Sequence, residues 1–195
     1  MKYHQINRQL FIKNRTKFTA QMKPNSVAIF NSNDIYPVSA DSSLPFAQHR
    51  DIFYLSGVDQ EESILLLFPD APYENQREML FLKETSEHIA IWEGEKLTKD
   101  RAFEVSGIKT VHWLQDFEKV LFELMTYSDT IYINTNEHYR AKVETETREA
   151  RFVKWWAAKY PAHTVAKSNP ILQRIRSVKE TEELDLIQNA CNITE

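Results

Sequence analysis

Gly57, Gly94 and Gly107 are the only glycines in a chain of 195 residues. Ordinary usage of roughly 7% would supply about 14. Glycine lets a backbone turn with positive φ or lie close against a ligand, so its scarcity narrows both the turns and the chemistry available. The three are far apart, and none belongs to a G-x-G-x-x-G, a G-x-x-x-x-G-K-[ST] or a G-x-S-x-G. Dinucleotide loops, P-loops and the nucleophile elbow are thereby excluded. Each glycine instead falls at an expected turn: Gly57 after the aromatic 51–55, Gly94 after Ile91-Trp92-Glu93, and Gly107 after a helix capped by Thr98.

The remaining composition is that of a soluble, folded chain. It is 42% hydrophobic and 27% charged, with a formal net charge of -4, and its length suits one domain or one with an appendage. Apolar residues occur throughout, which rules out disorder. Cys191 is the only cysteine, so an internal disulfide framework and a Cys-based zinc site are both impossible. It reads as a small apolar helix residue. The first residues carry no apolar signal stretch, and the longest aliphatic run, Ile64-Leu65-Leu66-Leu67-Phe68, is too short to span a bilayer. The expectation is a cytoplasmic protein with no membrane partner. Its mild acidity argues against nucleic acid.

Hydrophobic periodicity predicts helices over 6–22, from Thr98 to 105 or 106, and over 116–125, 144–160, 169–175 and 180–193. It predicts strands over 27–30, 63–68, 79–82, 110–113 and 130–133, and around Val165. Strands alternating with helices give an α/β layered domain with a mixed sheet of five to six strands flanked by helices. Residues 31–48 lack periodicity and are long for a connection; aromatic residues at both ends favour a packed loop. The charged stretch from Arg174 to Glu183 reads as a linker. It divides the chain into a domain over 1–174 and a segment over 175–195 made of that linker and the first helix of something further.

Few residues suggest chemistry. The six histidines form no metal-binding motif, and His112 reads as a core or rim residue. Glu144, Glu146 and Glu149 read as a solvated first helical turn. Arg174, Arg176 and Lys179 are either a solvated linker or a phosphate contact. Trp92, before a Glu-Gly turn, is either a core residue or an exposed anchor for a partner. His49, Arg50 and Asp51, following Gln48, are either a helix cap with surface charges or part of a site. Read from residues alone, this is an α/β domain without an identifiable active site.

Three stretches carry a resemblance. Ser39-Ala40-Asp41-Ser42 followed by the run from Pro45 to Gly57 is similar to the pattern S-x-D-S-x-x-[FY]-R-Q-x-S-D-[FY]-x-Y-[LF]-[ST]-G of the N-terminal domain of Xaa-Pro aminopeptidases (aminopeptidase P). Ile91-Trp92-Glu93-Gly94-Glu95-Lys96-Leu97 resembles that family's I-W-x-G-x-R-L. The run from Arg176 to Leu184, with Ala190 and Ile193-Thr194, resembles its R-x-x-K-x-x-x-E-[IL]-x-x-[IL]-x-x-A-x-x-I-T. The three occur in the family's order. Ala47 stands where the family has Arg, and Arg50 where it has Ser.

The resemblance implies a non-catalytic N-terminal domain of a metalloaminopeptidase acting on peptides with proline at the second position. Catalysis in the family belongs to a following pita-bread domain holding two divalent metals, usually Mn2+, through two Asp, one His and two Glu. Those ligands would lie beyond Glu195, so this chain would bind no cofactor and hold neither catalytic nor metal-ligating residues. Its expected partners are its own catalytic domain and further copies, as a dimer or tetramer. Trp92, His49, Arg50 and Asp51 would then lie at the active-site access or a subunit interface. Two other readings remain: a free-standing dimerisation or peptide-binding module, and the same domain of a prolidase- or creatinase-type relative.

Overall fold

A strand that is apolar on consecutive residues must be covered on both faces, and Val27-Ala28-Ile29-Phe30 is such a strand. In the computed structural model, which describes residues 5–138, 140 and 144–194 (but not the side chains of Glu87, Trp92 and Glu93), it forms β1 (Ser26–Asn31) with all six residues buried. Around it lie β4 (Ile64–Leu67), β5 (Glu78–Leu82), β6 (Thr110–Trp113), β7 (Thr130–Ile133) and β8 (Thr164–Lys167) in the order β6-β5-β4-β1-β7-β8. β1, β4 and β5 pair antiparallel; β5 with β6, and β1 with β7 and β8 in turn, run parallel. This is the mixed six-stranded sheet expected. Ala28 lies opposite Leu67 on one side and Tyr132 on the other, and a one-residue slip would exchange the two faces.

Each face is covered by helices. Val27, Ile29, Leu66, Phe81 and Ile131 pack on Phe117, Leu121 and Leu124 of α5 (Phe117–Met125) and on Phe152 and Trp156 of α6 (Arg148–Lys159). Ala28, Phe30, Leu65, Leu80 and Tyr132 pack on the opposite layer. That layer comprises α1 (Arg8–Thr19), α2 (Arg50–Ser56), α4 (Lys99–Ser106) and α7 (Asn169–Ser177). Phe18, Ile52, Leu55 and Ala102 are fully buried there; hiding a side chain of Phe or Leu size contributes about 1.5–3 kcal/mol.

Helix ends follow side-chain caps. α1 is shorter than expected because Asn7 accepts from the Gln9 N–H (2.9 Å). α6 starts at Arg148 rather than 144, because the Thr147 hydroxyl accepts from the Ala150 N–H (3.2 Å). Thr98 caps α4 as expected. The charged stretch after 174 is not a linker throughout: α7 continues to Ser177, with Ile175 in the core.

The packed loop expected over 31–48 is packed only at its ends. Residues 33–45 are exposed and carry a small hairpin of β2 (Pro37–Ser39) and β3 (Ser42–Ser43). Pro, Ser and Asp give this segment little to bury, so Ile35, Tyr36, Val38 and Leu44 stay about half exposed. α3 (Glu87–Glu93) and α8 (Thr181–Thr194) complete the chain. α8 has no buried residue; Leu184 and Ile187 on its apolar face are about half exposed.

α1 lies across the carboxyl ends of α2 and α4, and two glycines permit it. Gly57 and Gly107 follow those helices in the left-handed region, at φ 70° and 75°. A Cβ at Gly57 would stand 2.3 Å from the Phe11 ring, and one at Gly107 2.7 Å from Ile12. At Gly94 (φ 79°) a Cβ would meet nothing within 4 Å. Gly57→Ala therefore combines backbone strain with overlap and is expected to cost about 2–4 kcal/mol in urea unfolding. Gly94→Ala should cost less; equal losses would remove the close-approach argument. Arg15→Met, which deletes the fully buried guanidinium bridging Leu55 O, Ser106 O and Glu78, should cost about 3–5 kcal/mol in the same measurement.

Candidate functional site

β1 and β7 run side by side in parallel, and each apolar run ends on a buried asparagine, Asn31 and Asn134. In open α/β sheets, the carboxyl ends of parallel strands are where ligands and polar side chains gather. Here the first turns of α2 and α6, and the residues at the two ends of α7, deliver polar groups to that edge.

Glu149, in the first turn of α6, reaches inward. One carboxyl oxygen accepts from the Asn134 backbone N–H (3.1 Å) and the other from Asn31 Nδ2 (2.8 Å). The residue is partly buried, and both of its carboxyl oxygens are hydrogen-bonded. Burial pushes the carboxyl up to about 7, against the Asn31 and Asn134 hydrogen bonds and the Arg148 charge. Asn134 Nδ2 donates to Asp51 Oδ2 (3.0 Å), and its Oδ1 lies 2.7 Å from Ser168 Oγ, which is also 2.8 Å from Ile133 O. Asp51 Oδ1 receives Arg176 Nη1 at 2.5 Å, and that guanidinium lies over the Tyr54 ring at 5.2 Å. Burial raises the Tyr54 hydroxyl to about 12. Ser32 Oγ accepts from the Ser63 N–H and from Arg148 Nη1, both at 3.1 Å.

The structure therefore brings two of the four candidate residues together. His49 is the N-cap of α2: its Nδ1 accepts from the Asp51 N–H (3.3 Å), so the cap is the histidine and not the aspartate. Burial lowers the His49 pKa, with Asp51 opposing and Arg176 reinforcing. Asp51 is the ion-pair partner of Arg176. Arg50 is exposed. Trp92 lies in α3, and its side chain falls outside the described residues. Gln48 is buried and holds the chain after α2, donating to Val58 O (3.1 Å) and Gln60 O (2.9 Å).

Sequence reasoning passed over Asn31, Asn134 and Ser168, and read Glu149 as a solvated helical turn and Arg176 as a solvated linker or a phosphate contact. Glu149 is not solvated like Glu144 and Glu146, because two strand-end asparagines draw its carboxyl inward. Arg176 is not a solvated linker residue, because α7 carries it to Asp51. The available signal was a polar residue directly after each apolar strand run.

The cluster can fix geometry and hold a proton, and it contains no activated nucleophile: Ser168 is directed at carbonyl and amide oxygens, and Ser32 is used as an acceptor. Among the described residues, no group of three or more His, Cys, Asp and Glu is placed to hold a metal ion. No helix among them is long and apolar enough to cross a membrane.

The sequence profile of the aminopeptidase P N-terminal domain matches residues 11–132. The Xaa-Pro aminopeptidase of Escherichia coli is 27% identical over 97% of this chain, and human Xaa-Pro aminopeptidase 3 is 21% identical over 89%. Among solved structures, E. coli aminopeptidase P with the inhibitor Pro-Leu superposes with a TM-score of 0.77, at 25% identity over 97% of this chain. The low-pH form of the same enzyme gives a TM-score of 0.78 at 24% identity. This chain spans 43% of the E. coli protein and 34% of the human one.

The Glu149 carboxyl holds its proton to about pH 7 when folded and to near 4.5 when unfolded. Between those values the folded state binds more protons, so stability falls as pH rises through that window. Glu149→Gln should flatten this slope, changing the stability difference between pH 4.5 and 7.5 by roughly 1–3 kcal/mol. Urea unfolding at both pH values checks it; parallel profiles for the two proteins would refute the enclosed carboxyl.

Proposed function

The chain belongs to the aminopeptidase P N-terminal domain family, and from that premise we propose that it is the non-catalytic domain of a metal-dependent Xaa-Pro aminopeptidase. The parent enzyme would remove the N-terminal residue of a peptide whose second residue is proline. Its catalytic domain, with two divalent metals, would be supplied by sequence outside these 195 residues. The observation that carries the reading is the profile match over 11–132, joined to relatives of which this chain spans well under half.

In this reading the domain packs on the catalytic domain, contributes to self-association, and shapes access to the active site of a cytoplasmic enzyme. Trp92, His49, Arg50 and Asp51 are assigned to that access surface or to a subunit interface. Support comes from the site: Asp51 and Arg176 join the start of α2 to the end of α7, immediately before α8, which leaves its apolar residues uncovered.

The purified 195-residue chain, supplied with Mn2+ and a peptide whose second residue is proline, should release no N-terminal residue by chromatographic assay. Metal-dependent turnover by this chain would overturn the non-catalytic assignment.

A further inference from the structure

The carboxyl of Glu149 is met by donors. Oε1 takes the Asn134 backbone N–H (3.1 Å) and Oε2 takes Asn31 Nδ2 (2.8 Å), and the Asn31 backbone N–H also favours the ionised form. A carboxylate, which only accepts, suits this set; a carboxylic acid must also donate. Burial nevertheless favours the acid and carries the group up to about 7, so both forms are populated near neutrality. The acid form needs an acceptor in place of one of these donors.

One of the partners can supply it. A backbone N–H is fixed by its strand, whereas an asparagine amide carries a carbonyl oxygen opposite its NH2 and exchanges the two by a half-turn. Asn31 is 4% exposed and closes the buried strand β1, so its amide turns inside the protein. The charged groups nearby are engaged elsewhere. Arg148, beside Glu149 on α6, gives its Nη1 to Ser32; Glu62 and Asp34 act on Arg148 and are paired with Lys83 and Arg151. Asp51, with His49 and Arg176, lies on the far side of Asn134, whose side chain it engages. Among the described residues none of these groups hydrogen-bonds the Glu149 carboxyl.

We propose that the Asn31 amide is a proton-operated switch: it donates to the ionised Glu149 carboxylate, and when Oε2 takes a proton from solvent the amide turns over and its Oδ1 accepts the new O–H. The event exchanges a donor for an acceptor at the end of β1, inside the cluster that ties α2, α6 and α7 to the strand ends. The proposal is independent of the aminopeptidase reading.

The test uses the whole 195-residue chain labelled with 13C and 15N. The Glu149 carboxyl carbon and the Asn31 side-chain nitrogen should titrate together, with one proton and a common midpoint near pH 7. Through-hydrogen-bond coupling from Asn31 Nδ2 to that carboxyl carbon should be present about two pH units above the midpoint and lost about two below it. Glu149→Gln keeps an oxygen for the Asn134 N–H and sets a permanent donor opposite Asn31, so the Asn31 nitrogen should stay near its acid-limit position at every pH. His49→Asn removes a titrating ring and keeps a cap, and should leave the Asn31 titration unchanged. A melting curve reports that each variant is folded. Coupling retained at both limits, an Asn31 nitrogen that does not titrate in the unsubstituted chain, or a titration that survives Glu149→Gln or is lost in His49→Asn would overturn the proposal.

Discussion

The guanidinium of Arg15 is the point on which one layer of the molecule depends. Its side chain has no exposure, and it donates to Leu55 O and Ser106 O, both at 2.9–3.0 Å, and to Glu78 of β5. Leu55 and Ser106 belong to the last turns of α2 and α4, where helices leave carbonyls without partners. One cation thus answers the ends of two helices and ties both to the sheet. Nη1 serves both carbonyls while Nε serves Glu78, so two nitrogens of one guanidinium make all three contacts. The close approach that brings Arg15 into place also presses Phe11 and Ile12 against Gly57 and Gly107, so two of the three glycines are consequences of the same packing.

The opposite end of the sheet is organised by neutral amides and one enclosed carboxyl. Asn31 and Asn134 terminate neighbouring parallel strands and share Glu149 between them. Asn134 then passes the connection to Asp51 and Ser168, so α2, α6 and α7 are held in register with the strand ends. These contacts occupy the hydrogen-bonding capacity of the side chains that make them.

The strands were legible because burial on both faces leaves an unbroken apolar run, as in Val27-Ala28-Ile29-Phe30 and Leu65-Leu66-Leu67. The cap at Thr98 and the stop at Gly107 were legible because both act on adjacent residues. The site was not. An acid in a first helical turn has the same sequence pattern whether it is solvated, like Glu146, or enclosed, like Glu149; only two asparagines, 118 and 15 residues away, distinguish them. Arg176 reads as a surface charge until α7 is seen to carry it to Asp51. The exposed hairpin over 37–43 was missed because aromatic residues at the ends of a loop say nothing of its middle.

α8 shows a different kind of attachment. It contributes nothing to either core; Lys13 pairs with its Glu182, and Lys17 with Glu180 just before it, joining its start to α1. Charges in water lose their hold as ions gather around them, over about 10 Å at 0.1 M salt and about 3 Å at 1 M. The body of the molecule is held mainly by burial and is far less sensitive. The angle at which this last helix leaves the domain is therefore a property of the solution as much as of the chain.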